Sequence, residues 1–152
     1  MVTPNGLIAN LYGPISGRRH DSYMLQKSNL LHELQRVLVN RNYVLYGDCG
    51  YPLRRLIITP FQGNNLTEEQ KSFNGTMSRM RIVVEWEFGQ LFKLFSFLDF
   101  KKNQKIYLQP VAKYVFVASI LKNCHTCLYG SETSSYFQLN PPTLENYLNG
   151  QQ

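Results

Sequence analysis

The sequence predicts an α/β fold, and three observations carry that expectation. Two short apolar runs, Tyr43 to Tyr46 and Leu56 to Thr59, end at Gly47-Asp48 and at Pro60, as buried strands do. From Glu68 to Phe95 the residues Met77, Met80, Val84, Phe88, Leu91 and Phe95 recur at steps of three or four, the helical period. Pro110 then stands where a helix begins, ahead of Val111, Tyr114, Val115, Val117, Ala118 and Leu121. A chain of 152 residues is long enough to bury a core of this kind.

The remaining elements follow in order. Pro4-Asn5-Gly6 is a turn signal, Leu7 to Tyr12 reads as a strand, and Met1-Val2 as the stump of its hairpin partner. A loop through Gly13, Pro14 and Gly17 leads to Asp21-Ser22, which suits the start of a helix carrying Leu25, Leu30, Leu31, Leu34 and Leu38. Within the long helical stretch, Asn74-Gly75 is a candidate break. Ile82, Val83, Trp86 and Phe92 add apolar groups to its other faces, which predicts a helix enclosed by other elements and an expensive setting for Glu85. From Gly130 the chain turns polar, with Pro141-Pro142 and a Gly-Gln-Gln end. The expected organisation is therefore a domain over 1–129 and a loosely ordered polar tail over 130–152.

Lys and Arg number 16 against 10 Asp and Glu, and the tail holds only Glu132 and Glu145 among charged residues, so the basic excess falls on the folded part. That balance suits a polyanionic partner such as DNA, because neutralising phosphates supplies most sequence-independent affinity for nucleic acid. Three cysteines, an odd number, and no charged stretch followed by an apolar leader point to a reduced, intracellular setting. Cys124, His125 and Cys127 have no second Cys or His pair after them, which argues against a zinc knuckle. No apolar run is long enough to span a membrane.

Three stretches carry candidate chemistry: Gly17-Arg18-Arg19-His20-Asp21-Ser22, Tyr46-Gly47-Asp48-Cys49-Gly50-Tyr51-Pro52, and Arg81-Ile82-Val83-Val84-Glu85-Trp86-Glu87-Phe88-Gly89. Each sets a carboxylate beside glycine or a cation. Magnesium-like cations want oxygen ligands, and two-metal sites need carboxylates that distant elements bring together. Each residue also has a plainer reading. Asp21 fits a helix N-cap, Asp48 a turn, and Glu85 an ion pair with Arg81 one helical turn earlier. Arg18, Arg19, Arg54, Arg55, Arg79 and Arg81 fit solvated charges, and His20 a loop residue bonded to backbone.

The ordered set Gly-Pro-x-x-Gly-x-x-His-Asp-Ser at 13–22, Gly-Asp-x-Gly-Tyr-Pro-Leu at 47–53, Thr-Pro-Phe at 59–61 and Arg-x-x-Val-Glu-x-x-Phe-Gly at 81–89 resembles the PIF/Harbinger-type DDE transposase family. The likeness covers roughly residues 5 to 125. It implies an RNase H-like mixed sheet with flanking helices and magnesium- or manganese-dependent cleavage of DNA. Carried over by motif, Asp21, Asp48 and Glu85 would be the catalytic metal ligands, with Arg18, Arg19 and Arg81 on the phosphate backbone. The resemblance also implies nuclear residence and a separate Myb-like DNA-binding partner.

One departure qualifies the likeness. The family's first catalytic aspartate lies in an Asp-Gly-Thr-His motif that this sequence lacks. The expectation is therefore an N-terminally truncated domain with its first catalytic strand missing, and unpaired backbone where that strand would lie. A non-catalytic DNA- or protein-binding remnant of a transposase is the alternative.

Overall fold

The structure, a computed structural model, describes residues 1–15, 18–39, 41–98 and 110–150. Gly17 of the first motif, and Lys101, Lys102 and Lys105, which are too sparse for a convincing nuclear-import signal, lie outside the described residues. The fold is mixed α/β and mostly helical, and it divides into two compact units, one of residues 14–81 and one of 1–13 with 82–152.

In the unit of residues 14–81, helices α1 (Asp21–Lys27) and α2 (Leu30–Val37) replace the single helix predicted there. The break is at Asn29, whose φ of 53° is left-handed, a region asparagine tolerates better than most residues. The Ser28 hydroxyl donates to the Leu25 carbonyl and accepts from the Leu30 N–H, satisfying backbone groups that the break releases. Leu25 and Leu34 are still buried, so the apolar spacing was read correctly although the helix was not continuous.

Strands β1 (Leu45–Tyr46) and β2 (Ile57–Ile58) pair in parallel, Leu45 opposite Ile57 and Tyr46 opposite Ile58. Ile57 is buried, but Tyr43 and Val44 are 63% and 49% exposed, where the sequence predicted a buried strand. Among the described residues the sheet has two strands, and a strand paired on one side leaves its other edge and flanking apolar groups in water.

Helix α3 (Glu68–Leu94) runs through both units. Thr67 and Gln70 close its start reciprocally, each side chain accepting from the other's backbone N–H. Asn74-Gly75 does not break it. The Asn74 carboxamide instead points outward, accepting from the Phe61 N–H and donating to the Phe61 carbonyl, both at 3.0 Å. Phe73 packs edge-on against Phe61 and Tyr46, which fixes the first half of α3 on the loop after β2 and on β1.

The enclosed helix predicted around Glu85 is corrected by the structure. Ile82 and Phe92 are 41% and 45% exposed, and Glu85 is exposed as well. The inward face consists of Val83, Glu87 and Leu91, four residues apart. The carboxylate in the expensive position is thus Glu87.

The other unit also contains a 3₁₀ turn (Ser96–Leu98), α4 (Val111–Tyr129), α5 (Glu132–Phe137) and α6 (Leu144–Leu148). Leu91, Leu98 and Ala118 form its core, with Phe88, Phe95 and Val115 against them. Lys122 and Glu87 are completely buried and ion-paired, and the Lys122 ammonium also donates to the Gly6 carbonyl at 2.6 Å. Burial pushes the Lys122 ammonium down to about 8. Gly6 itself has φ of +82°, and a β-carbon there would run into the Ser131 hydroxyl.

Residues 1–9 form a turn closed by an isolated antiparallel bridge between Val2 and Ile8. The predicted strand from Leu7 to Tyr12 does not form, because Asn123 takes the place of a partner strand. Its carboxamide accepts from the Ile8 N–H at 2.9 Å, donates to the Ile8 carbonyl at 3.0 Å, and also donates to the Tyr147 hydroxyl. Beyond Gly130, where composition suggested a loose tail, the chain forms α5 and α6. Ser131 and Ser134 close a reciprocal cap, Thr133 and Ser134 are buried, and α6 packs on α4.

Lys122→Met should cost ~3–5 kcal/mol, because it leaves the Glu87 carboxylate buried without a cation. Urea unfolding should show that loss, and the double variant Glu87→Leu with Lys122→Met should recover most of it. A single variant as stable as the parent would contradict the pairing.

Candidate carboxylate site

Asp48 lies just past the carboxyl end of β1, on the short loop 47–56 that joins two parallel strands. Loops at the carboxyl ends of parallel strands are where α/β sheets place ligand-binding groups, since the backbone there turns out of the sheet. The Asp48 side chain is 46% exposed and makes two kinds of bond. Oδ1 accepts from the Cys49 N–H, and Oδ2 faces Arg81 Nη1 of α3 at 2.9 Å. Hydrogen bonds from the Arg81 guanidinium, then from the Cys49 thiol and backbone N–H, hold the Asp48 carboxyl down to about 2. The same bond to Asp48 pushes the Cys49 thiol up, away from thiolate chemistry.

Asp21 approaches the same loop from the start of α1. It is the first helical residue, and the cap position belongs to His20, whose side chain makes no capping bond, so the capping role considered for Asp21 is not what the structure shows. A β-carbon on Gly50 would lie 2.7 Å from Asp21 Oδ2, so only glycine leaves the Asp21 carboxylate its position beside the loop. Tyr51, next in the loop, is pushed up by burial and then by the charges of both Asp21 and Asp48. The structure therefore brings Asp21 and Asp48 to one loop. Tyr46 adds a buried hydroxyl with no hydrogen-bond partner among the described residues, and it feels both Arg81 and Asp48.

Glu85 belongs to the other unit, where it borders a cavity of about 640 Å³ together with Trp86, Gln90, Lys93, His125 and Glu132. Arg81, one turn before it, pairs with Asp48. Arg18 and Arg19 are exposed, Arg19 stacking over the Tyr23 ring at 4.9 Å. Sequence reasoning missed the Arg81 to Asp48 contact, which spans two elements, and the spacing role of Gly50. The Gly-Asp-x-Gly-Tyr pattern was the available signal for the second.

The family model described as DDE superfamily endonuclease matches residues 1–123. The chain belongs to the DDE superfamily endonucleases. Comparison with curated proteins and with solved structures gives no match. Both carboxylates of the 47–56 loop site fall inside the matched region of this DDE superfamily endonuclease. Among the described residues no three His, Cys, Asp or Glu side chains converge as a metal cage would need. Asp21 and Asp48 carry carboxylate oxygens, the donors a hard divalent cation takes, but two carboxylates do not make that cage. No described helix of this DDE superfamily endonuclease is long and apolar enough to cross a membrane.

Because the folded value lies below the unfolded one, the Asp48 to Arg81 pair adds stability above roughly pH 4. That contribution is lost as pH falls through about 2, and it is small because both side chains are substantially exposed. Carboxyl-detected NMR of metal-free protein should place the Asp48 midpoint near 2, moving up in Arg81→Gln. Equal midpoints in the two proteins would contradict the assignment.

Proposed function

We propose that the chain is the DNA-cutting part of a transposase-derived nuclease of the PIF/Harbinger type, built on an RNase H-like plan. In this reading Asp21, Asp48 and Glu85 bind magnesium or manganese. The observation that carries it is the placement of Asp48 at the carboxyl end of β1 with Asp21 against the same loop, inside the family-matched region. Bound divalent cations would lower the pKa of the attacking water and offset charge on the leaving 3′ oxygen. The chain's own residues do the rest: the carboxylates hold and orient the cation, and exposed Arg18 and Arg19 neutralise phosphates on the flanking DNA. The excess of lysine and arginine over acidic residues supports DNA as the polyanion. By the same reading, sequence-specific recognition comes from a Myb-like partner protein, and the chain works in the nucleus.

A second reading, a non-catalytic DNA- or protein-binding remnant, is favoured by the lack of a three-ligand cluster among the described residues. Magnesium titration and nicking of supercoiled DNA separate the two. Asp48→Ala and Glu85→Ala should each weaken magnesium binding and nicking by at least ~10–100-fold, the range found even for outer-shell changes at metal sites. Unchanged magnesium affinity in both variants would defeat the nuclease reading. Nicking that arises only in a longer chain supplying an Asp-Gly-Thr-His strand would support the nuclease and assign the deficit to that strand.

A further inference from the structure

Every arginine of the chain lies between residues 18 and 81, and the other unit carries lysine but no arginine. The unit of residues 14–81 holds ten Lys and Arg against five Asp and Glu, while the other unit is nearly balanced. A polyanion should therefore seat on residues 14–81, since a guanidinium grips a phosphate through two parallel N–H donors. Within this unit, Gln35 of α2, then Arg41, Asn42 and Tyr43 after it, and Arg55 and Leu56 ahead of β2 line a cavity of about 800 Å³. We propose that this cavity is a groove for single-stranded DNA, with Arg41 and Arg55 on backbone phosphates and Tyr43 stacked on a base. The inference rests on DNA as the partner, the part of the reading above that needs no metal.

Three features separate this cavity from an ordinary solvated face. First, Arg36 and Arg81 have carboxylate partners in Glu33 and Asp48, whereas no Asp or Glu lines the cavity. Among the described residues the side chains of Arg41 and Arg55 make neither a hydrogen bond nor an ion pair, so their charge is not neutralised within the fold. Second, the backbone that carries them is fixed. The Arg41 N–H donates to the Leu38 carbonyl at 3.0 Å, Arg54 and Ile57 close the turn that presents Arg55, and the Leu45 N–H donates to the Leu56 carbonyl at 2.8 Å. Cations on a set frame lose less freedom when a ligand arrives. Third, Tyr43 shows 63% of its surface to water, two residues after Arg41. An open ring beside cations is a stacking platform, and only an unpaired strand has bases free to use it. Duplex DNA would engage the arginines alone, because its bases already stack on one another.

The test is fluorescence anisotropy of a labelled oligothymidine of about 12 nucleotides with the full chain in EDTA, so that no metal takes part. Arg41→Gln combined with Arg55→Gln should weaken binding by on the order of tenfold and flatten the slope of log affinity against log salt by roughly 0.7 for each phosphate contact removed. Arg36→Gln combined with Arg79→Gln removes as much charge from the same unit outside the cavity, and should change affinity by less than about threefold. Tyr43→Ala should weaken binding roughly tenfold, while Tyr43→Phe keeps the stacking face and binds like the parent. Equal losses in the two double variants would reduce the effect to general charge and overturn the groove. Equally tight binding of a duplex of the same length, with Tyr43→Ala silent, would overturn the single-strand assignment. Displacement of the oligonucleotide by polyglutamate of the same length would overturn the assignment to nucleic acid. Groove variants that bind like the parent, in a chain that nicks supercoiled DNA, overturn this inference alone. A chain that binds through the groove and never nicks supports the groove and removes the nuclease reading instead.

Discussion

The ion pair between Asp48 and Arg81 is the contact around which the unit of residues 14–81 is arranged. The strand that ends at Tyr46 delivers Asp48 to the edge of the sheet, the glycine at 50 lets Asp21 close in, and α3 brings Arg81 from the far side. The aromatic contacts of Phe73 with Tyr46 and Phe61, and the double bond of Asn74 to Phe61, hold α3 at the distance that makes this possible. Packing here serves the placement of charge, and the charge stays at the surface.

The other unit treats the same problem in the opposite way. Glu87 and Lys122 are sealed in the interior, and the lysine extends the bond to a carbonyl of the N-terminal turn. A buried pair contributes little net stability compared with apolar packing, but it penalises any arrangement that separates its members. It therefore ties α3, α4 and residues 1–9 to one register, and Asn123 reinforces the tie by standing in for a strand against Ile8. An open pair in one unit and a closed pair in the other give α3 two roles along its length.

Much of the α/β character was legible because it rests on local period and punctuation. The strand ending at Gly47-Asp48, the long helix from Glu68 and the helix after Pro110 all appear where periodicity put them. The carboxylate at a strand end was legible for the same reason. What could not be read locally was choice of face and partner. Glu85 and Glu87 are both flanked by apolar residues, and only the fit of Val83, Glu87 and Leu91 onto the core decides which turns inward. Helix spacing brings Glu85 to mind as a partner of Arg81, and the contact with Asp48, which is long-range, is not visible in that spacing. Polar composition after Gly130 concealed order, because serine and threonine hydroxyls that cap a helix can be buried without loss. Family likeness read from ordered motifs agreed with the match over residues 1–123 at the level of the DDE superfamily, since such motifs record chemistry that periodicity cannot.

The proposed nuclease reading requires Asp21, Asp48 and Glu85 to bind divalent cations together, and paramagnetic broadening tests that proposal most directly. With substoichiometric manganese added to isotope-labelled protein, the account predicts selective loss of the carboxyl resonances of those three residues, with Glu132 and Glu145 unaffected. Broadening of Asp21 and Asp48 without Glu85, or centred on other carboxylates, would contradict it.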